Sequence, residues 1–380
     1  MNHSSAIFFS DDWGRHPSSC QHLVSHMLAA TDVVWVNTIG MRPPRLDWVT
    51  VRRGWEKLRG AGQQARGVGD PCAEISPRVL NPHMWPWMSH AWDRRLNASL
   101  LAKQLAVESD VDVAVTTIPI VADLVDRLPV RRWVYYCVDD FSVWPGLAGS
   151  VMAQMEKKLI AKVDRVVAAS DFLASHSCAE HSDVSVLTHG VDRAFWRRGE
   201  SGEFAGVAAI PGPRVVFWGV VDQRMNAEWV LALADQLTSG SVVLAGPQQN
   251  PDSRLLAHSR IHLTGALPFE QLPALAKMAD ALIMPYADLP VTRAMQPLKL
   301  KEYLATERPV IASPLPAVLP WDDCLQIART EEQFVQSVLQ VLAAGSNGAQ
   351  QESRVERVRE RLSNESWAAK AAQFRKLILE

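Results

Sequence analysis

TRAMQPLKLKEYLATERPVIASP, residues 292–314, combines a proline that can open a helix, an amphipathic run and a following strand. In the run, Leu298, Leu300, Tyr303 and Leu304 alternate with Lys299, Lys301 and Glu302, and the strand spans 309–312. Pro297 at the first helical turn loses no hydrogen bond, because an amide there has no intrahelical partner. Lys299 then sits on the first turn and Glu302 one turn later, on the same face. A cation and a carboxylate beside a helix N-terminus suit a ligand with a diphosphate at one end and hydroxyls at the other. An ordinary surface ion pair is the competing reading of the same spacing.

Outward from this stretch the chain alternates strands with helices. Expected strands cover 6–10, 32–38, 111–117, 132–138, 164–170 and 184–188, then 214–218, 241–245, 281–285, 309–312 and 324–328. That alternation predicts an α/β protein with parallel sheets. Ligands of such sheets bind beyond the carboxyl ends of the strands. Residues 11–18, with Gly14, Arg15 and His16, and the pair Asp139 and Asp140 are therefore expected to face a cleft. Either aspartate could accept or position a proton, or it could cap the following helix. Gly219 lets backbone approach a ligand closely, and Arg224 lies near the start of the next helix.

The 380 residues are enough for two domains, and 48% hydrophobic content with a net charge of −2 describes a globular chain with no global pull toward nucleic acid. Five scattered cysteines without a C-x-x-C pair fit a reducing compartment and argue against a zinc site. No apolar run approaches the ~18 residues of a membrane span, and the N-terminus turns acidic too soon for a signal peptide. A cytoplasmic protein is expected. Between 42 and 95, Arg42, Arg45, Arg52, Arg53, Lys57, Arg59, Arg66, Arg94 and Arg95 are interleaved with Trp48, Trp55, Trp85, Trp87 and Trp92. This suits a peripheral contact with the inner face of a membrane, a phosphorylated lipid, or stacking on sugar rings; a solvated loop with some buried tryptophans is the alternative.

Pro-Leu-Lys-x-x-Glu-Tyr-Leu-Ala followed by Arg-Pro-Val-Ile-Ala-Ser resembles the donor-site segment of family 4 GT-B glycosyltransferases, a retaining, metal-independent group. That family carries two glutamates separated by seven residues, the second contacting the ribose of a nucleotide sugar. Glu302 falls on the second position, Ala294 on the first, and Glu307 stands where the family often has Gly. His189-Gly190-Val191-Asp192 is similar to the family's Asn-Gly-Val-Asp with His189 for Asn, and 262–285 resembles its base-binding block, which puts Gly265 and Leu267 at the nucleobase.

The resemblance implies two Rossmann-like domains facing across a cleft: an acceptor domain at 1–196, a linker at 197–213, a donor domain at 214–362, and a final helix at 363–380 packing back on the first domain. It further implies retaining hexosyl transfer from a nucleotide sugar, a UDP-sugar being expected, to a glycan or lipid-linked acceptor in exopolysaccharide or envelope synthesis. No cofactor and no metal are expected, and the second domain has no Asp-x-Asp triplet. Arg224, Lys299 and the helix end at Pro297 and Leu298 would neutralise the departing diphosphate. Amides near Met295 and Gln296 would support the sugar, and Asp140 would serve the acceptor hydroxyl. A sugar-nucleotide epimerase and a non-catalytic nucleotide-binding relative are the alternatives, the latter favoured by Ala294.

Overall fold

The computed structural model describes residues 4–14, 18–38, 76–106, 111–198, 205–344 and 349–380. The chain forms two compact units, residues 1–188 with 367–380, and residues 189–366.

In the first unit, β1 (Ser4–Ser10), β2 (Thr31–Asn37), β3 (Arg78–Leu80), β4 (Val113–Thr116), β5 (Arg132–Cys137), β6 (Arg165–Ala168) and β7 (Val184–Val186) form a parallel sheet in the order β3-β2-β1-β4-β5-β6-β7. The helices are α1 (Ser19–Ser25), α2 (Ala91–Leu105), α3 (Gly149–Ile160) and α4 (Asp171–Ser175). Helices cover both faces of such sheets, so their central strands run apolar without alternation. Ala6, Ile7, Phe8 and Phe9 of β1 are all buried. The last helix of the chain, residues Trp367–Leu379, also packs here. Trp367 stacks on His22 of α1 at 4.5 Å, Phe374 lies 5.0 Å from Tyr136, and Arg375 Nε donates to Thr31 Oγ1 at 3.2 Å.

In the second unit, α5 (Arg193–Arg198) and α6 (Ala205–Ala208) precede β8 (Arg214–Trp218). Then come β9 (Val221–Asp222), α7 (Ala227–Gln236), β10 (Ser241–Ala245), β11 (Gln248–Gln249), α8 (Ser253–Ala257), β12 (Ile261–Gly265), α9 (Leu272–Lys277) and β13 (Ala281–Met284). The series closes with α10 (Pro290–Ala294), α11 (Leu298–Ala305), β14 (Val310–Ala312), β15 (Gln326–Ile327), α12 (Glu331–Ala344) and α13 (Ala349–Arg361). The main sheet is parallel, in the order β12-β10-β8-β13-β14-β15. Two Rossmann-like parallel sheets are what the strand–helix alternation predicts.

The passage between units differs from the expected linker. It lies at 188–189 and 366–367, not in 197–213. Just ahead of that stretch Phe195 stacks on Phe269 at 4.8 Å and Trp196 on Trp218 at 5.3 Å, and within it Val207 is fully buried in the second unit's core. The glycines, proline and charges of this stretch look like a linker locally, and only tertiary burial of these apolar side chains shows otherwise.

Candidate functional site

Three neighbouring strands of the second sheet, β8, β10 and β12, end in glycine at their carboxyl edge. Gly219, Gly246 and Gly265 have φ of 136°, 149° and 73°. The Gly219 amide donates to Ala245 O and the Gly246 amide to Gly265 O, both at 2.8 Å, so the three strand ends are joined in one ledge. A Cβ on Gly246 would fall 1.9 Å from the Gly219 carbonyl oxygen, whereas one on Gly265 would meet nothing within 4 Å. The ledge is bare backbone, the surface a phosphate or base can approach most closely.

Lys299 reaches this ledge from the first turn of α11. A Cβ on Gly219 would lie 2.0 Å from its ammonium. The ammonium donates to Tyr286 Oη at 2.6 Å and lies 4.5 Å from the centre of the Phe217 ring. Ring faces attract cations, so the charge is held in place before any ligand arrives. Pro297 occupies the N-cap position with extended backbone (φ −73°, ψ 120°), one residue before the first helical turn where the sequence reading put it. The aligned peptide dipoles of α11 place partial positive charge at the same end.

Glu302, one turn on, is half-buried and accepts the Trp218 indole N–H at 3.2 Å. Burial pushes its carboxyl up to about 7, against the opposing pull of the Trp218 hydrogen bond and the Lys299 charge. Tyr303 beside it fixes the same tryptophan by its backbone, its hydroxyl accepting from Trp218 N at 2.9 Å. The sequence spacing thus brings Lys299 and Glu302 onto one side of the helix, and Trp218 ties that side to the end of β8.

The other expected donor residues fare differently. Arg224 is not a bare cation: its guanidinium is clasped by Asp222, Nη2 to Oδ2 at 2.8 Å and Nε to both carboxylate oxygens at 3.0 Å. Asp222 therefore shares the guanidinium expected to meet a diphosphate, and the sequence reading missed that partner. The Met295 amide donates to Val291 O at 3.1 Å, which closes α10 and takes that amide from any sugar. Gln296 is buried and its carbonyl is held by His189 Nε2 at 3.1 Å. Leu267 is half-buried and packs against the core near Gly265. Ala294 is buried on α10, so a methyl group fills the place of the family's first glutamate. Glu307 adopts a left-handed φ of 62°, a conformation glycine takes without strain. Its carboxylate grips Arg359 at 2.7 and 2.5 Å, which holds it below the ordinary range.

Sequence reading also missed Lys301. It is almost wholly buried, pairs with Glu365 and donates to His189 O, so α11 is bound to both ends of the second unit's chain path. A lysine among the apolar positions of 298–304 was the available signal. A cavity of about 600 Å³, lined in part by Trp196, Lys277, Arg308 and Arg359, shares no residue with the ledge.

In the first unit, the carboxyl edge is built of carboxylates. Asp11, just past β1, accepts from Ser10 Oγ at 2.9 Å, Gln21 Nε2 at 3.3 Å and Ser18 Oγ at 3.4 Å. Burial raises its carboxyl above the ordinary value while these donors pull it back. Gly14 follows with φ 76°, its amide donating to Gln21 Oε1 at 3.0 Å. Arg15 and His16 lie outside the described residues.

Asp140 does not cap the next helix, which opens at Gly149 with Ala148 as its N-cap. It closes a turn on Ser142 instead, accepting from the amide at 3.0 Å and the hydroxyl at 2.5 Å. Asp139 beside it is half-buried. Glu156 of α3 is a further buried carboxyl, unmarked in the sequence reading. It accepts from Tyr135 Oη at 2.5 Å, and burial pushes it to about 7. Its signal was a glutamate on the inward face set by Met152, Met155 and Leu159. Among the described residues, no group of three or more His, Cys, Asp or Glu side chains is placed to hold a metal ion.

Comparison with known proteins bears on both units. Residues 212–344 match the family model of the group 1 glycosyl transferases. A Bacillus subtilis (strain 168) protein described as a teichuronic acid biosynthesis glycosyltransferase, TuaH, is 25% identical over 176 residues, 44% of each chain. The match thus spans less than half the length of that relative. Sucrose-phosphate synthase from Thermosynechococcus elongatus superposes with a TM-score of 0.71 at 15% identity over 98% of both chains. Anabaena Alr3699/HepE in complex with UDP-glucose gives 0.66 at 12% identity, again over 98% of both. At such identities the likeness is one of fold, the GT-B arrangement of two Rossmann-like domains.

Proposed function

We propose that this protein is a glycosyltransferase that moves a hexose from a UDP-sugar to a glycan or lipid-linked acceptor in envelope or exopolysaccharide synthesis. The observation that carries the reading is the Lys299 ammonium, held by Tyr286 against the bare backbone at Gly219, within the segment that matches the group 1 family. The diphosphate lies along the ledge of Gly219, Gly246 and Gly265, with the nucleobase toward Gly265 and Leu267. The UDP-glucose bound by the structurally similar HepE supports a uridine donor, and the teichuronic acid context of TuaH supports an envelope polysaccharide.

Breaking the bond from the anomeric carbon to phosphate leaves an oxocarbenium-like sugar and an extra negative charge on the diphosphate. Lys299 and the N-terminal end of α11 meet that charge without reorganising, which is where preorganised electrostatics contributes most. Glu302 accepts hydrogen bonds from the ribose hydroxyls. Transfer proceeds with retention and without a metal: the acceptor attacks the face that the diphosphate leaves, and the departing phosphate takes its proton. Asp140, Asp139 and Gly14 serve the acceptor side. Arg224 braces its loop through Asp222 and is not a contact to the diphosphate.

The chemistry runs at the cytoplasmic face of the membrane, where residues 42–95 make a peripheral contact; 42–75 of these lie outside the described residues. Among the described residues no helix is long and apolar enough to cross a membrane. The buried methyl of Ala294 favours one second reading, a nucleotide-binding relative without turnover. Incubation with UDP-sugars alone and with membrane lipid extracts separates the two. Acceptor-dependent release of UDP, lost in Lys299→Ala, supports transfer. Binding of UDP with no release under any acceptor leaves the second reading.

A further inference from the structure

Helix α2 turns apolar side chains outward. Trp92 is 56% exposed and Leu96, four residues on, is 38% exposed. Residues four apart share a helix face, and half-buried Leu100 continues the stripe. Trp85 and Trp87 join it from the preceding loop, with ring centroids 4.9 Å apart and Trp85 6.0 Å from Trp92.

This cluster is held in place from beneath. Asp93, buried under the helix start, accepts the Trp85 indole N–H and the His90 amide, both at 3.0 Å. Asn97, also buried, accepts the Trp85 amide at 2.7 Å and donates to the carbonyls of Trp85 and Trp87 at 3.0 and 3.2 Å. Arg94 donates to Met88 O and Ser89 O. Two buried polar residues thus fix Trp85 and Trp87, both half-buried, against the side of the exposed Trp92.

Charge selects the partner. The helix carries Arg94, Arg95 and Lys103 and a single acid, Asp93, which is buried and engaged. Its outer face is therefore cationic with aromatic and leucine side chains between the charges. We propose that α2 docks on an anionic bilayer surface, with Trp92 and Leu96 in the interfacial layer and Arg95 and Lys103 on lipid headgroups. Tryptophan favours that layer because its ring is apolar and its N–H polar, and basic side chains gain from the negative surface potential. A sugar platform fits less well, since the polar groups next to the rings, Asp93 and Asn97, already face inward to their own partners. The inference deepens the membrane part of the proposed function and does not depend on turnover.

The test is co-sedimentation of the full chain with phosphatidylcholine vesicles and with mixed phosphatidylcholine–phosphatidylglycerol vesicles, with UDP binding measured in parallel. The protein should bind the mixed vesicles, weakly or not at all the neutral ones, and less as salt rises. The double variant W92E/L96E should lower the bound fraction about tenfold, because charge is costly in the interfacial layer. The double variant R95E/K103E should remove the preference for phosphatidylglycerol. Both should keep UDP binding and the parent's Tm. Equal vesicle binding by parent and W92E/L96E overturns the proposal, as does equal binding to both lipid mixtures. If the parent ignores vesicles while W92E/L96E lowers Tm, chain or protein covers this face and the proposal fails. Oligosaccharide-dependent tryptophan quenching without vesicle binding would replace it with a sugar platform. Vesicle binding that survives alongside a lack of UDP binding would sink the donor site alone.

Discussion

The carboxyl edges of the two sheets are finished in opposite ways. In the second unit three strand ends are stripped to glycine and one lysine is clamped beside them by aromatic rings. In the first, Asp11, Asp140 and Glu156 crowd the corresponding edge, each already hydrogen-bonded to its own neighbours. A nucleoside diphosphate needs close backbone and positive potential, which is why the proposed donor site is put at the second edge and not the first.

The contrast can be broken most sharply at Lys299. Lys299→Ala should lower turnover about 10²–10³-fold, the usual cost of losing a preorganised donor to a developing anion. Its Tm should stay near that of the parent, and a stability loss large enough to explain the rate would break the contrast.

Two glycine substitutions sharpen the account of the ledge. Gly246→Ala should destabilise by about 1–3 kcal/mol in urea unfolding, since its Cβ has no room and its φ is unfavourable. Gly265→Ala should cost about 1 kcal/mol, from its left-handed φ alone. Equal costs would mean that the close approach of Gly219 and Gly246 does not matter.

On the crowded edge, Glu156 gives a pH signature. Its folded carboxyl titrates near 7, above the ordinary 4.5, so the folded state holds the extra proton between those values. Its contribution is complete below about 4.5 and is lost as pH rises through 7. Unfolding free energy should therefore decline across that window, by roughly 1–3 kcal/mol for this one group. Glu156→Gln should flatten the decline, and an unchanged slope in the variant would assign the titration elsewhere.

Arg224 supplies the smallest effect on function. Arg224→Ala leaves the nearly buried Asp222 carboxylate without its cation, keeping only the amide of residue 224 as donor, and should cost about 1–3 kcal/mol of stability with turnover within about threefold. A rate loss like that of Lys299→Ala would restore Arg224 to the diphosphate.

Much of this was legible in the sequence because it is local. Pro297, the apolar spacing of 298–304 and the Lys299–Glu302 offset define α11 without reference to any distant residue. The βα alternation predicts both sheets for the same reason. What escaped depends on contacts across the chain. Tyr286 meets Lys299 only after β13 and α11 pack, and Gly246 looks like an ordinary Gly-Pro turn until the Gly219 carbonyl is beneath it. Residues 197–213 have the composition of a linker, and the burial of Val207 cannot be seen in it. Asp222 was within two residues of Arg224, so that pair was readable and was missed.

Calorimetric titration of UDP into the parent chain and into Lys299→Ala tests the central claim most directly. The account predicts saturable binding by the parent and a Kd weakened about 10–100-fold in the variant, the value of a charged hydrogen bond to phosphate. It also predicts binding that tightens as pH rises through about 7, where Glu302 ionises. UDP bound equally well by both proteins, with no dependence on pH, would contradict it.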